Sequence, residues 1–133
     1  MKIGKTYRFD AAHHLPGYVG KCSNPHGHSY KLEVEVEGGT IPITSSRGEK
    51  LSCGGMVMDF AKLDALLAPL LVGILDHHDL DVSTRLLHVE RTTAELLVKG
   101  IVSWIHKQTL PKGVHLSRVR LYETEKAYAE WTA

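Results

Sequence analysis

The sequence predicts an α+β fold, an antiparallel β-sheet with two helices on one face. Three observations predict it. Two segments near the start and one near the end alternate apolar and polar residues with a period of two. Two stretches between them repeat apolar residues at helical spacing. The clearest strand segment keeps one apolar and one charged parity, the pattern of a sheet with one buried and one wet face.

In the first strand segment Ile3, Lys5, Tyr7, Phe9, Ala11 and His13 share one parity, and Lys2, Gly4, Thr6, Arg8 and Asp10 the other. Residues 14–25 hold Pro16, Gly17, Gly20, Asn24 and Pro25 and read as a loop. In the second strand Tyr30, Leu32, Val34 and Val36 point one way, and Lys31, Glu33, Glu35 and Glu37 the other. Gly38 and Gly39 end it, and residues 40–52 read as an exposed excursion. Met56, Val57 and Met58 read as a short third strand. Asp59 is placed to cap a helix whose Phe60, Leu63, Leu66, Leu67 and Leu70 form one face. Pro69 argues against that helix's last turn. A polar segment, Asp76 to Arg91, leads to Thr92-x-x-Glu95, the spacing of a capping box. The second helix carries Leu97, Ile101, Trp104, Ile105 and Gln108 on one side and stops at Pro111 and Gly113. In the last strand, Val114 to Glu123, Val119 and Leu121 share a face with Glu123. The predicted order is strand, strand, strand, helix, helix, strand, in one domain over residues 1–133.

At 133 residues the chain is long enough to bury a core without a disulfide or metal staple. Sixteen basic against fifteen acidic residues leave a net charge of +1. That balance gives no support to a nucleic-acid partner or a polybasic membrane contact. Met1 to Asp10 has basic residues but no apolar run behind them, so no secretory leader is expected. The longest uncharged apolar stretch, Ala65 to Leu75, is too short to span a bilayer. With two cysteines, Cys22 and Cys53, the expectation is a cytoplasmic protein with reduced thiols. Cys53 is expected to be a buried free cysteine.

Histidine is the unusual entry in the composition, with nine residues, and His13–His14, His26–His28 and His77–His78 form three tight groups. In His26-Gly27-His28 the imidazoles sit two apart, so on extended chain both face one side and can reach one metal ion. His13 joins them if the first two strands pair in one sheet; a bulge near Ala12 would bring in His14 instead. Three neutral imidazoles with an open fourth position suit a catalytic zinc ion. Cys22, four residues before His26, fits either of two roles. As a fourth ligand it would close the site and make it structural; as a thiolate beside the metal it would abstract a proton. In Asp76-His77-His78-Asp79 a carboxylate beside an imidazole suits proton transfer, although sequence neighbours point apart. Glu123, at the end of an apolar face, can accept two parallel hydrogen bonds from an amino-pyrimidinone edge.

Five motifs occur in order: Phe9-Asp-Ala-Ala-His13, Cys22-x-x-x-His26-Gly-His28, Gly55-Met-Val-Met-Asp59-Phe60, Leu75-Asp76-His77-x-x-Leu80 and Glu123-Thr124. Together, from about Tyr7 to Tyr128, they resemble the 6-pyruvoyl-tetrahydropterin synthase / 6-carboxy-tetrahydropterin synthase family. The resemblance implies the tunnelling fold, in which trimers close their sheets into a barrel and two trimers stack into a homohexamer. It implies zinc on His13, His26 and His28. Cys22 would be the proton-abstracting thiolate, Asp76 and His77 a proton relay, and Glu123 the pterin anchor, with Thr93 nearby. These groups would meet across subunits. Three residues between Cys22 and His26 resemble the bacterial 6-carboxy branch of queuosine and deazapurine biosynthesis, whereas the pyruvoyl-forming branch usually has a longer gap. Where the family often has Pro-Thr-x-Glu-Asn, this chain has Thr92-Thr93-Ala94-Glu95-Leu96. Three other readings fit the residues less fully: pyruvoyl formation on the same fold, a metal-binding module without catalysis, and a structural protein with solvated histidines.

Overall fold

In the computed structural model, which describes residues 1–133, the alternating segments pair as an antiparallel meander in the order β1-β2-β3-β4. β1 spans Lys2–His13, β2 His26–Gly38, β3 Val114–Thr124 and β4 Ala127–Thr132. The helical section lies between β2 and β3: α1 (Phe60–Leu70), the short α2 (Leu80–Ser83) and α3 (Ala94–His106). β1 and β2 pair without a slip from Lys2↔Glu37 to His13↔His26. An unbroken register preserves parity, so each apolar residue stays on its face. Phe9, Ala11, Tyr30, Leu32, Val34 and Val36 are accordingly buried.

One core joins that sheet face to Leu63, Leu67 and Leu70 of α1 and to Leu97, Ile101 and Ile105 of α3. Phe60, predicted on the buried side of α1, stays half-exposed. Lys5 sits on the apolar parity because α1 answers it. Its ammonium pairs with Asp64, which also accepts a hydrogen bond from the Tyr7 hydroxyl at 3.0 Å. No helix is long and apolar enough to cross a membrane.

Four local expectations change. Met56–Met58 is not a strand: Val57 and Met58 are buried in succession, so there is no alternating face to pair. The segment bends into Asp59, whose carboxylate accepts from the Ala61 N–H at 2.9 Å and caps α1 as expected. The fourth strand is β4 instead, with Ala129 and Trp131 packed against the core. Pro69 does not end α1. It removes one N–H, and the helix continues into a π-helical turn, Leu71–Leu75, closed by the Asp76 N–H on the Leu71 carbonyl at 2.7 Å. The cap of α3 is Thr93, one residue later than the capping-box spacing suggests; its side chain accepts from the Leu96 N–H at 3.4 Å.

Within residues 40–53 a small ribbon forms, with Leu51 N–H on the Ile43 carbonyl at 2.9 Å and a Thr44↔Lys50 bridge. Cys53 there is half-buried rather than fully buried. Inside α3, a Cβ at Gly100 would lie 2.5 Å from Val89 Cγ2 and 3.1 Å from Leu87 Cβ. Gly100→Ala is therefore expected to destabilise the protein by about 1–3 kcal/mol despite alanine's better helix propensity, read by urea unfolding. Unchanged stability would mean that Val89 yields freely.

β3 carries a bulge at Ser117, between Glu35↔Arg118 and Val36↔Leu116. The extra residue moves the buried parity from Leu116 to Val119 and Leu121, and it keeps Glu123 on the core side. The Ser117 hydroxyl lies 3.2 Å from the Glu35 carbonyl and 2.8 Å from its carboxylate. Burial pushes the Glu35 carboxyl up, but the Ser117 hydroxyl, the Lys2 ammonium and Arg118 outweigh it and hold the group below the ordinary 4.5. The unfolded chain therefore binds this proton more tightly than the folded one. The stability Glu35 adds is complete above pH 4.5 and is lost as pH falls through the lowered value. Glu35→Gln is expected to flatten the acid limb of a plot of thermal midpoint against pH; an acid limb as steep as the parent's refutes this.

Candidate metal centre and active site

The unslipped β1–β2 register places His13 opposite His26 and Ala11 opposite His28. Parity then turns all three imidazoles to the core face, at the end of the sheet where the helices leave room. Their ring centroids are 4.6, 4.8 and 5.1 Å apart. One ligand atom from each lies within 4.8 Å of the others. The three Nε2 atoms are all buried and have no hydrogen-bond partner. A buried polar atom without a partner is costly, and three of them converging on one point are what a metal ion satisfies.

The outer nitrogens show that the arrangement is built. His13 Nδ1 is 3.0 Å from the Thr92 carbonyl, and His26 Nδ1 is 2.8 Å from the Asn24 carbonyl. A carbonyl only accepts, so each Nδ1 carries the hydrogen and each Nε2 turns a lone pair inward. His28 has its protonated form disfavoured by burial, opposed by Glu123 and reinforced by His13 and His26. His28 is thus disposed to be a neutral ligand. The donor set fits a divalent zinc-like ion and leaves a position open.

His14 takes no part in the cluster. Its N–H and Nδ1 instead lie 2.9 and 2.6 Å from Asp81 Oδ2. No bulge at Ala12 intervenes, so parity selects His13. Cys22 lies in a single 3-10 turn, Lys21–Ser23, half-buried, with its carbonyl held by the Leu15 N–H at 2.7 Å. It does not join the three-histidine cluster, so the chain forms no closed His3Cys site. Glu123, on the core side of β3, brings Oε1 to 3.6 Å from His28 Nε2. Thr93 caps α3 directly after Thr92, whose carbonyl receives His13.

Asp76 and His77 form a second cluster with Asp10, on the outer edge of β1. The π-helical turn delivers Asp76 there. Its Oδ1 accepts from the Asp10 N–H at 3.0 Å and sits 2.9 Å from His77 Nδ1. These bonds, the Asp10 N–H first and the imidazole second, hold the Asp76 carboxyl below its ordinary value. Adjacent residues meet because His77 adopts φ +58°, a left-handed conformation that folds its ring back over Asp76. The His77 N–H on the Asp10 carbonyl, 2.7 Å, fixes that turn. An open cleft lined by Asp10, Gly27, His28, Ser29, His77 and His78 touches both clusters.

Two residues of the site were not legible in the sequence. Asp81 sits in the polar segment 76–91, whose periodicity is uninformative, Thr92 reads from the sequence only as a helix cap, and the fold alone brings them behind His13. Tyr30 was read only as core. It is fully buried, its hydroxyl has no partner, and its ring stands edge-on to His28 at 5.5 Å.

The family model described as 6-pyruvoyl tetrahydropterin synthase matches residues 2–133. A 6-carboxy-5,6,7,8-tetrahydropterin synthase of Haemophilus influenzae is 32% identical, covering 98% of both chains. One from Synechocystis is 38% identical over 85% of this chain and 80% of its own. The human 6-pyruvoyl tetrahydrobiopterin synthase is 36% identical over 93% and 86%. The solved Caenorhabditis elegans 6-pyruvoyl tetrahydropterin synthase superposes with a TM-score of 0.76 at 25% identity, covering 100% of this chain and 95% of that one. Sequence likeness along the whole length and a shared tunnelling fold lead to the same assignment: the chain belongs to the 6-pyruvoyl tetrahydropterin synthase family.

Proposed function

We propose that the chain is a zinc-dependent 6-carboxy-5,6,7,8-tetrahydropterin synthase. It would act as a lyase on 7,8-dihydroneopterin triphosphate and water, giving 6-carboxy-tetrahydropterin, acetaldehyde and triphosphate, in queuosine or deazapurine biosynthesis in the cytoplasm. The observation that carries this reading is the convergence of three buried, unpartnered Nε2 atoms beside an acceptor carboxylate. His13, His26 and His28 would hold the zinc. Bound there, zinc would supply Lewis acidity to the oxygens of the substrate side chain.

The chain's own residues do the rest. Cys22 as thiolate removes a side-chain proton. His77, oriented by the Asp76 carboxylate, moves protons to and from the intermediate. Glu123 accepts the paired N–H groups of the pterin ring, and Thr93 lines the same end of the site. The outer edge of β4 has no sheet partner, and that of β1 is open up to Arg8, beyond which Asp10 and Ala12 bond to residues 76–79. Pairing the two edges head to tail between copies is heterologous and closes into a ring, and two rings stacked would give the homohexamer. Continuing the antiparallel alternation would put the His13 end of β1 beside the start of β4 in the next copy. The Asp76–His77 pair of one subunit would then serve the site near Glu123 of its neighbour.

Turnover with 7,8-dihydroneopterin triphosphate, read by product mass, tests the assignment. Acetaldehyde with the carboxy product supports it. The pyruvoyl product without acetaldehyde favours the second reading, which the 36% identity to the human pyruvoyl-forming relative keeps in view. No turnover together with tight zinc would leave a metal-binding module.

A further inference from the structure

We infer that Asp81 and Thr92 are positioning residues for the metal centre, which hold His13 in its ligating tautomer through the Thr92 peptide and hold His14 away from it. The inference rests on the metal-centre reading above, but neither residue offers a ligand atom to the metal cluster or carries a group assigned to catalysis.

Two adjacent histidines end β1, and a metal site built from one must exclude the other. Asp81, in α2, accepts from three directions. The His14 backbone N–H at 2.9 Å and His14 Nδ1 at 2.6 Å meet Oδ2; the Thr92 hydroxyl meets Oδ1 at 2.7 Å. The first two hold the His14 ring on Asp81 and out of the cluster. The third anchors Thr92, which is 2% exposed, just ahead of α3. The same residue's carbonyl then receives His13 Nδ1 at 3.0 Å. One carboxylate thereby ties α2, the end of β1 and the entrance to α3 into a single frame around His13. Thr92 also accounts for the displaced helix cap: its hydroxyl is engaged by Asp81, so Thr93 caps α3 instead.

The chemistry follows from this arrangement. A ligating imidazole whose outer N–H is held by an oriented acceptor presents its lone pair in one direction and is a better donor. Releasing the Thr92 hydroxyl leaves the carbonyl in place but lets the peptide rotate, so His13 samples other orientations and tautomers. Losing an outer-shell partner of this kind typically costs about 10- to 100-fold in metal affinity.

The test is zinc affinity of the full-length protein, by competition with a chromophoric chelator, in Thr92→Val, Thr92→Ser, Asp81→Asn and Asp81→Ala. Thr92→Val keeps shape and carbonyl and loses only the hydroxyl. It is expected to weaken zinc about tenfold, while Thr92→Ser restores parent affinity. Asp81→Asn, whose single amide oxygen can accept from Thr92 or from the His14 N–H but not from both, should fall between the parent and Asp81→Ala. A purely structural role would lower the thermal midpoint of metal-free and zinc-loaded protein alike. Positioning shrinks the zinc-induced rise in midpoint, and it alters the absorption bands of the cobalt-substituted protein. Should Asp81→Ala fail to fold, the Thr92 pair decides. Parent-like zinc affinity and an unshifted cobalt spectrum in Thr92→Val overturn the inference. A parent protein that binds no zinc at all overturns the metal-centre reading instead, so the two failures are distinguishable.

Discussion

Replacing His28 by alanine is expected to abolish stoichiometric zinc and, with it, turnover. Three imidazoles are the whole ligand set the chain offers at that point, and removing one leaves two donors and two open positions. The loss should exceed the roughly 10- to 100-fold expected of an outer-shell change. His28 is the informative choice because its side chain is 18% exposed, whereas His13 is a 2% exposed part of the core. Its removal deletes a ligand with little loss of packing. Zinc content after dialysis against a weak chelator, with circular dichroism as the control for folding, reads the result. One tightly held zinc per chain in His28→Ala would sink the three-histidine centre.

Cys22→Ala is expected to separate metal binding from chemistry. The thiol lies outside the cluster, so zinc content should equal the parent's. Turnover should fall by about 10²- to 10⁴-fold, the usual range for a positioned proton-transfer group. The half-buried thiol is held in a turn pinned to Leu15, so the substitution removes a reactive atom without opening the core. Parent-like turnover would assign proton removal to another group. Loss of zinc in the same variant would mean that the sulfur closes the metal's last position, and the site would then be structural.

The two results bear on different elements. His28 reports on β1–β2 pairing, which is intrinsic to one chain. On the proposed assembly Cys22, Asp76 and His77 would act together only between copies, since Asp76 and His77 sit on an outer strand edge in a cluster of their own. A variant that binds zinc normally but stays monomeric would be expected to lose turnover for that reason alone.

Parity was the legible part of this protein. His13, His26 and His28 could be grouped because a strand sends every second side chain to the same face, and one unslipped register preserves the grouping from sequence to space. Glu123 was legible for the same reason, and the Ser117 bulge that keeps it there shows as the shift of apolar parity from Leu116 to Val119. Met56–Met58 misled because a short apolar run has no period to test. β4 went unread although Tyr128–Trp131 alternates, because it is brief and lies against the chain end.

By itself the sequence determined which residues could share a face: the sheet, its buried side and the three imidazoles follow from a local rule of geometry that needs no distant partner. Only the tertiary structure decided what stands behind those imidazoles. Asp81, Thr92 and the Asp76–His77 contact depend on a π-helical turn, a left-handed residue and a displaced helix cap. They are joined by hydrogen bonds between segments from 11 to 79 residues apart, and no period in the chain encodes such a contact.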